Sequence, residues 1–183
     1  LSRLPPEHIT RAMVSGARYA FHSHPIRAVL IRSFAFGLAG ATATALAPLI
    51  AKDLLGGDAS IYGVLLGAAG VGAVAGALMV NIFREHLSIE KAVALLAIVS
   101  GLVLMGFGYS RLLASTCAAL FFVGGANMLT IALFNISVQT SVPRWVTARA
   151  LSLYSSFLTG GIALGAWFWG TIANSWSLEV AII

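Results

Sequence analysis

A chain of 183 residues with 59% apolar and only 9% charged side chains, at a mean hydropathy of +0.94, has too few charges to cover a soluble surface. Eleven basic residues against six acidic ones leave a net charge of +5, but they stand singly between long uncharged runs, which speaks against a phosphate-binding face for nucleic acid. The apolar content excludes disorder and the single cysteine, Cys117, excludes a disulfide scaffold, so the chain reads as a polytopic membrane protein.

Residues 1–25 read as a linker carrying a short helix over 7–22. Pro5-Pro6 and Glu7 are helix-start signals, and Ile9, Met13, Ala17 and Ala20 fall near one face, with Arg11, Arg18 and His22 elsewhere. That pattern predicts an amphipathic helix lying on the membrane surface.

From residue 26 onward the charges partition the chain. A crossing helix needs roughly 20 apolar residues to match a hydrocarbon core about 30 Å thick. Runs of 19, 25, 19, 32 and 29 uncharged positions follow Arg32, Asp58, Lys91, Arg111 and Arg149, each long enough for one crossing. The predicted spans are 28–51, 61–83, 92–110, 113–140 and 150–173, all helical because an open strand leaves backbone groups unpaired in lipid. A further apolar stub begins near Leu178, and with no methionine at Leu1 the chain reads as an excerpt of a longer one. Gly56-Gly57-Asp58, Ser110-Arg111, Pro143-Arg144 and Asn174-Ser175 supply turns. Nine basic residues, among them Arg84, Arg144 and Arg149 of the loops, fall on one side of this topology and two, Lys52 and Arg111, on the other. The positive-inside rule places the N-terminal segment in the cytoplasm.

No Asp, Glu, Lys, Arg or His lies deep in any span, and no metal-ligand, phosphate-loop or serine-nucleophile pattern stands there. The chain therefore reads as neither an enzyme nor a cofactor binder. Polar side chains gather in the fourth span, at Asn127, Thr130, Asn135 and Gln139, and in the fifth, at Ser152, Tyr154, Ser155, Ser156 and Thr159. Thr42 and Thr44 lie in the first and Tyr62 opens the second. An amide facing lipid costs several kcal/mol, so these groups should face protein or water. Asn127, Asn135, Gln139 and Tyr154 are the candidate lining of a solute pathway, with interhelical hydrogen bonding the alternative. For the serines, helix packing is the expectation. Gly63/Gly67 and Gly72/Gly76 of the second span, with Gly160, Gly161 and Gly165 of the fifth, would let helices approach closely and rock against one another. The third span is apolar all round apart from Ser100 and belongs against lipid. Trp167, Phe168, Trp169 and Trp176 read as an interfacial belt.

Several strings carry a resemblance: Pro25-Ile26-Arg27-Ala28-Val29-Leu30-Ile31-Arg32, Ala47-Pro48-Leu49-Ile50-Ala51-Lys52-Asp53-Leu54-Leu55-Gly56, Tyr62-Gly63-Val64-Leu65-Leu66-Gly67-Ala68, Asn135-Ile136-Ser137-Val138-Gln139, Val142-Pro143-Arg144-Trp145-Val146 and Arg149-Ala150-Leu151. In this order and spacing the chain resembles the second half of a major facilitator superfamily transporter, in the branch of transmembrane secretion effectors that contains the enterobactin-type exporters. The resemblance implies an all-α fold of twelve helices, of which residues 26–183 would be the second six, the last one truncated. It implies a missing N-terminal half as partner, peripheral third and sixth helices, and glycine-rich second and fifth spans packed on that missing half. It further implies export of small molecules across a bacterial inner membrane by proton-driven antiport and alternating access, and the neutral polar lining of Asn127, Asn135, Gln139 and Tyr154 suits partly hydrophobic solutes over small ions. A non-transporting scaffold or receptor module built on such a half is the rival reading. In the stretch matching the family's loop motif after the second helix, only Gly76, Leu78 and Arg84 fit, because Val80 replaces the acidic position and Phe83 the inner glycine.

Overall fold

The structure, a computed structural model, describes residues 23–49, 59–108 and 112–175. The surface helix expected over 7–22, the Gly56-Gly57-Asp58 and Ser110-Arg111 turns, Trp176 and the stub from Leu178 lie outside the described residues, as do the side chains of Thr42 and Thr44. The described residues form five helices: α1 (His24–Leu49), α2 (Ala59–His86), α3 (Ile89–Gly108), α4 (Leu113–Ser141) and α5 (Thr147–Ser175). Among them α2, α4 and α5 are long and apolar enough to cross a membrane.

Each helix overlaps one expected span, and the differences lie at the ends. Charged and proline residues end the apolar stretch without ending the helix. Pro25 sits in the first turn of α1, where its missing N–H costs no intrahelical bond, and the Arg27 N–H already bonds the Ser23 carbonyl at 3.0 Å. Arg84 and His86 close α2, where the Arg84 guanidinium meets the negative end of the helix dipole. Only Leu87 and Ser88 then separate α2 from α3, whose first turn carries Glu90. Helix α4 stops at Val142, which is extended (φ −129°, ψ 149°) as the ring of Pro143 requires of the residue before it. The 29 residues of α4 span roughly 43 Å, more than the hydrocarbon thickness, so the helix tilts or projects.

Two helix pairs dominate the packing, α1 with α5 and α2 with α4; α3 leans on α4 and has no comparable second partner. Both pairs are closed by glycine. A methyl group on Gly72 or Gly76 of α2 would run into the carbonyls of Phe121 or Gly125 of α4, and one on Gly124 into the Ala69 carbonyl. In the other pair Gly161 and Gly165 of α5 abut the carbonyls of Phe34 and Leu38 of α1, while a Cβ on Gly37 would stand 2.6 Å from the Leu158 carbonyl. Trp169 bridges the same seam, its Nε1–H donating to the Leu38 carbonyl at 3.0 Å. Trp169 is therefore half-buried in that seam, whereas Trp167 and Phe168 are exposed.

Apolar side chains fill what remains. Ile26, Leu30, Phe134, Val138 and Tyr154 form one cluster joining α1, α4 and α5. Phe36 meets Phe134 edge-on with centroids 5.8 Å apart, within the range aromatic pairs favour. Ala92 and Leu96 of α3 pack on Leu129 and Leu133 of α4. The opposite side of α3 presents Leu95, Ile98, Leu102 and Met105 outward. An apolar helix attached along a single stripe suits a position at the lipid edge.

Candidate functional site

Helix α4 touches all four other helices, so the neighbours of each of its residues follow from its turn position. Gly124 and Gly125 meet α2, and Leu129 and Leu133 meet α3. Asn127 lies toward α1, with its Oδ1 3.6 Å from where a Cβ on Gly40 would stand. The Ile131 carbonyl accepts a hydrogen bond from the Tyr154 hydroxyl of α5 at 3.2 Å. At about 100° per residue, Asn135 and Gln139 project between Ile131 and Gly125, into the angle between α5 and α2.

Of the four expected pathway residues, two stand together. Gln139 Nε2–H donates to Asn135 Oδ1 at 3.0 Å, one turn apart on the exposed side of α4. The bond leaves the Gln139 carbonyl oxygen and the Asn135 amide N–H groups for another partner. Asn127 is half-buried on a different side of the helix, against α1. Tyr154 departs from the expected lining: it is 2% exposed, packed beside Phe134, with its hydroxyl committed to backbone. Its ring is large enough to fill the α4–α5 interior, and the hydroxyl is accommodated there only because a carbonyl accepts its proton.

The serines of α5 also differ from expectation. Ser152, Ser155, Ser156 and Thr159 are all exposed, not packed between helices. Ser152 and Ser156 hydroxyls donate to the carbonyls of Ala148 and Ser152, each at 2.9 Å, the internal solution a helical serine has when no neighbour offers one. Their spacing of i, i+3, i+4 and i+7 makes one polar stripe, on the side of α5 opposite Tyr154, Gly161 and Gly165. That periodicity was the signal available in the sequence for a polar surface. Buried polar groups are fewer: Ser33 bonds the Leu30 carbonyl at 2.9 Å, and the Thr130 hydroxyl, 1% exposed, has no partner among the described residues.

The candidate rocking glycines divide into two sets. Gly72, Gly76, Gly161 and Gly165 are locked into seams within this chain, whereas Gly63, Gly67 and Gly160 have open space where a side chain would be. The smooth part of α2 therefore lies toward its N-terminal half. Of the loop arginines, Arg84 and Arg144 are exposed and Arg149 is half-buried in the first turn of α5.

Arg32 was not singled out as a contact residue, yet it joins two helices. It lies about two turns inside α1, and its guanidinium reaches the Glu90 carboxylate in the first turn of α3 at 2.6 Å. Helical side chains lean toward the N-terminus, and a long arginine stem carries its charge out of the apolar layer. Among the described residues, no group of three His, Cys, Asp or Glu side chains is placed to hold a metal ion.

The arrangement offers amide and hydroxyl hydrogen bonding on the outer sides of α4 and α5. The family model of transmembrane secretion effectors, transporters of the major facilitator type, matches residues 1–183. No curated protein and no solved structure matches the chain.

Proposed function

The chain belongs to the transmembrane secretion effector family, and on that premise we propose that it is the second six-helix half of a secondary transporter that exports small, partly hydrophobic molecules by alternating access. The observation that carries this reading is the Asn135–Gln139 pair in the angle between α2 and α5, Gln139 exposed and Asn135 half-buried. Two primary amides cannot rest against hydrocarbon without a large desolvation cost, and the described helices leave Gln139 exposed and cover Asn135 only in part. A watered path shared with a partner half satisfies them. The exposed hydroxyl stripe of α5 and the uncovered glycines of α2 give that half polar and smooth surfaces to work against. Neutral hydrogen-bonding groups in an apolar wall suit bulky, weakly polar solutes over small ions. Proton antiport would then draw its carboxylate from the N-terminal half. The membrane is the bacterial inner one, with the arginine-bearing helix ends in the cytoplasm.

Efflux from proteoliposomes containing the full-length transporter tests the reading. The Asn135→Leu/Gln139→Leu double variant should lower the rate at least tenfold while the protein remains folded. Wild-type efflux by that variant would remove the pair from the pathway. Cysteines placed at positions 135 and 155 should react with water-soluble maleimides from one side of the membrane, and a non-transporting module would leave both unreactive.

A further inference from the structure

The side of α4 opposite the amide pair borders a cleft. It opens between the N-terminal ends of α1 and α3 and the C-terminal end of α4 and encloses about 520 Å³. That volume is within the roughly 300–1,000 Å³ of small-molecule sites. The gap exists because α1 and α3 both pack on α4 but hardly on each other. Its floor is apolar, built by Val29, Val93, Ala97 and Phe134. At its rim the Arg32 guanidinium reaches across to the Glu90 carboxylate, and Ser137 and Ser141 add hydroxyls from α4. Among the described residues, the ion pair engages one guanidinium nitrogen, Nη1, and one carboxylate oxygen, Oε1. The other edge of Arg32 and the other oxygen of Glu90 remain for a further partner, and the two side chains are 49% and 72% exposed.

We propose that this cleft binds a free apolar α-amino acid from the aqueous side of the helix ends. In such a ligand a single carbon separates a carboxylate from a primary ammonium, the charge inverse of a guanidinium touching a carboxylate. The ligand carboxylate takes the open edge of Arg32, the geometry guanidinium favours. The ligand ammonium donates to the second oxygen of Glu90 and has N–H groups to spare for a rim serine. The four charges then alternate around a ring, each between two of opposite sign. A lone carboxylate would gain Arg32 but face Glu90, and a lone ammonium would meet the reverse. A zwitterion with its charges several bonds apart could satisfy the rim at one end only. The apolar side chain lies on the Val29–Val93–Phe134 floor and so bridges α1 and α3 where they lack contacts of their own. The site is independent of the transport pathway, because it lies on the other side of α4.

Equilibrium dialysis of tritiated L-phenylalanine against the full-length protein in detergent micelles tests the assignment. Wild type should bind the label saturably, and unlabelled L-leucine should displace it. 3-Phenylpropionate, which lacks the ammonium, and 2-phenylethylamine, which lacks the carboxylate, should each compete at least tenfold less well than unlabelled L-phenylalanine. Glu90→Gln should weaken binding at least tenfold, and because an exposed ion pair adds little to folding the variant keeps its structure. Ala97→Trp, which fills the floor and spares the charges, should abolish binding. The Asn135→Leu/Gln139→Leu variant should bind the label as wild type does, and a loss there would put the label in the transport pathway instead. That loss, absence of saturable binding, competition by either half-ligand equal to that of L-phenylalanine, displacement by phosphatidylethanolamine but not by L-leucine, or wild-type affinity in Glu90→Gln or Ala97→Trp would each overturn the proposal.

Discussion

Helices α1 and α5 meet backbone to backbone at Gly37, Gly161 and Gly165, and α2 meets α4 in the same way at Gly72 and Gly76. Helix α3 meets α4 differently, through Ala92 and Leu96 seated against Leu129 and Leu133. Lipid tails are as apolar as leucine, so burying side chains from lipid supplies little drive and close van der Waals approach has to hold the bundle. Bare backbone maximises that approach but leaves no room for growth. Side-chain packing is looser and can yield. The two kinds of contact should therefore answer mutation in opposite ways, the seams to added volume and the α3 attachment to lost volume.

The largest effect should come from Gly76→Leu, whose side chain would have to enter the Gly125 backbone. A loss of about 3 kcal/mol is expected in reversible unfolding by denaturing detergent. Gly67→Leu is the control, since nothing stands within 4 Å of its missing side chain. It should change stability by less than about 1 kcal/mol, the scale of the helix-propensity difference. Equal responses at the two glycines would break the distinction between seam and open face. Next in size, Leu133→Ala should cost about 2 kcal/mol by leaving a cavity under α3. The smallest effect belongs to Trp169→Phe, which keeps the ring in the α1–α5 seam and removes only the bond to the Leu38 carbonyl. About 0.6 kcal/mol is expected, the usual worth of a hydrogen bond between membrane helices. Near-ultraviolet circular dichroism should show the seam otherwise intact.

The helices were legible because lipid imposes a one-dimensional rule: charges interrupt an apolar run, and their spacing gives the crossings. Helix ends were less legible, since Pro25 and Arg27 end the apolar stretch yet continue α1. The pairing of helices was hidden. Gly63/Gly67 and Gly72/Gly76 share one spacing in one helix, yet only the second pair meets α4, because contact depends on where two helices cross and not on composition. The candidate site was half visible. Asn135 and Gln139 announce themselves by an i, i+4 spacing of amides, and Ser152, Ser155, Ser156 and Thr159 by a one-sided repeat. Tyr154 and Trp169 look like surface residues by type, and only the position of a backbone carbonyl turns them inward. The Arg32–Glu90 contact joins residues 58 apart and leaves no local signature.

The Leu38–Trp169 contact joins residues 131 positions apart, so the first described helix is paired with the last described one. At roughly 5–20 residues per second, α1 spends on the order of 10 s in the bilayer before α5 exists. Throughout that interval its glycine-notched face has no native mate. Biogenesis of this chain accordingly calls for an insertase or a transient neighbour to shelter that notch until translation delivers α5.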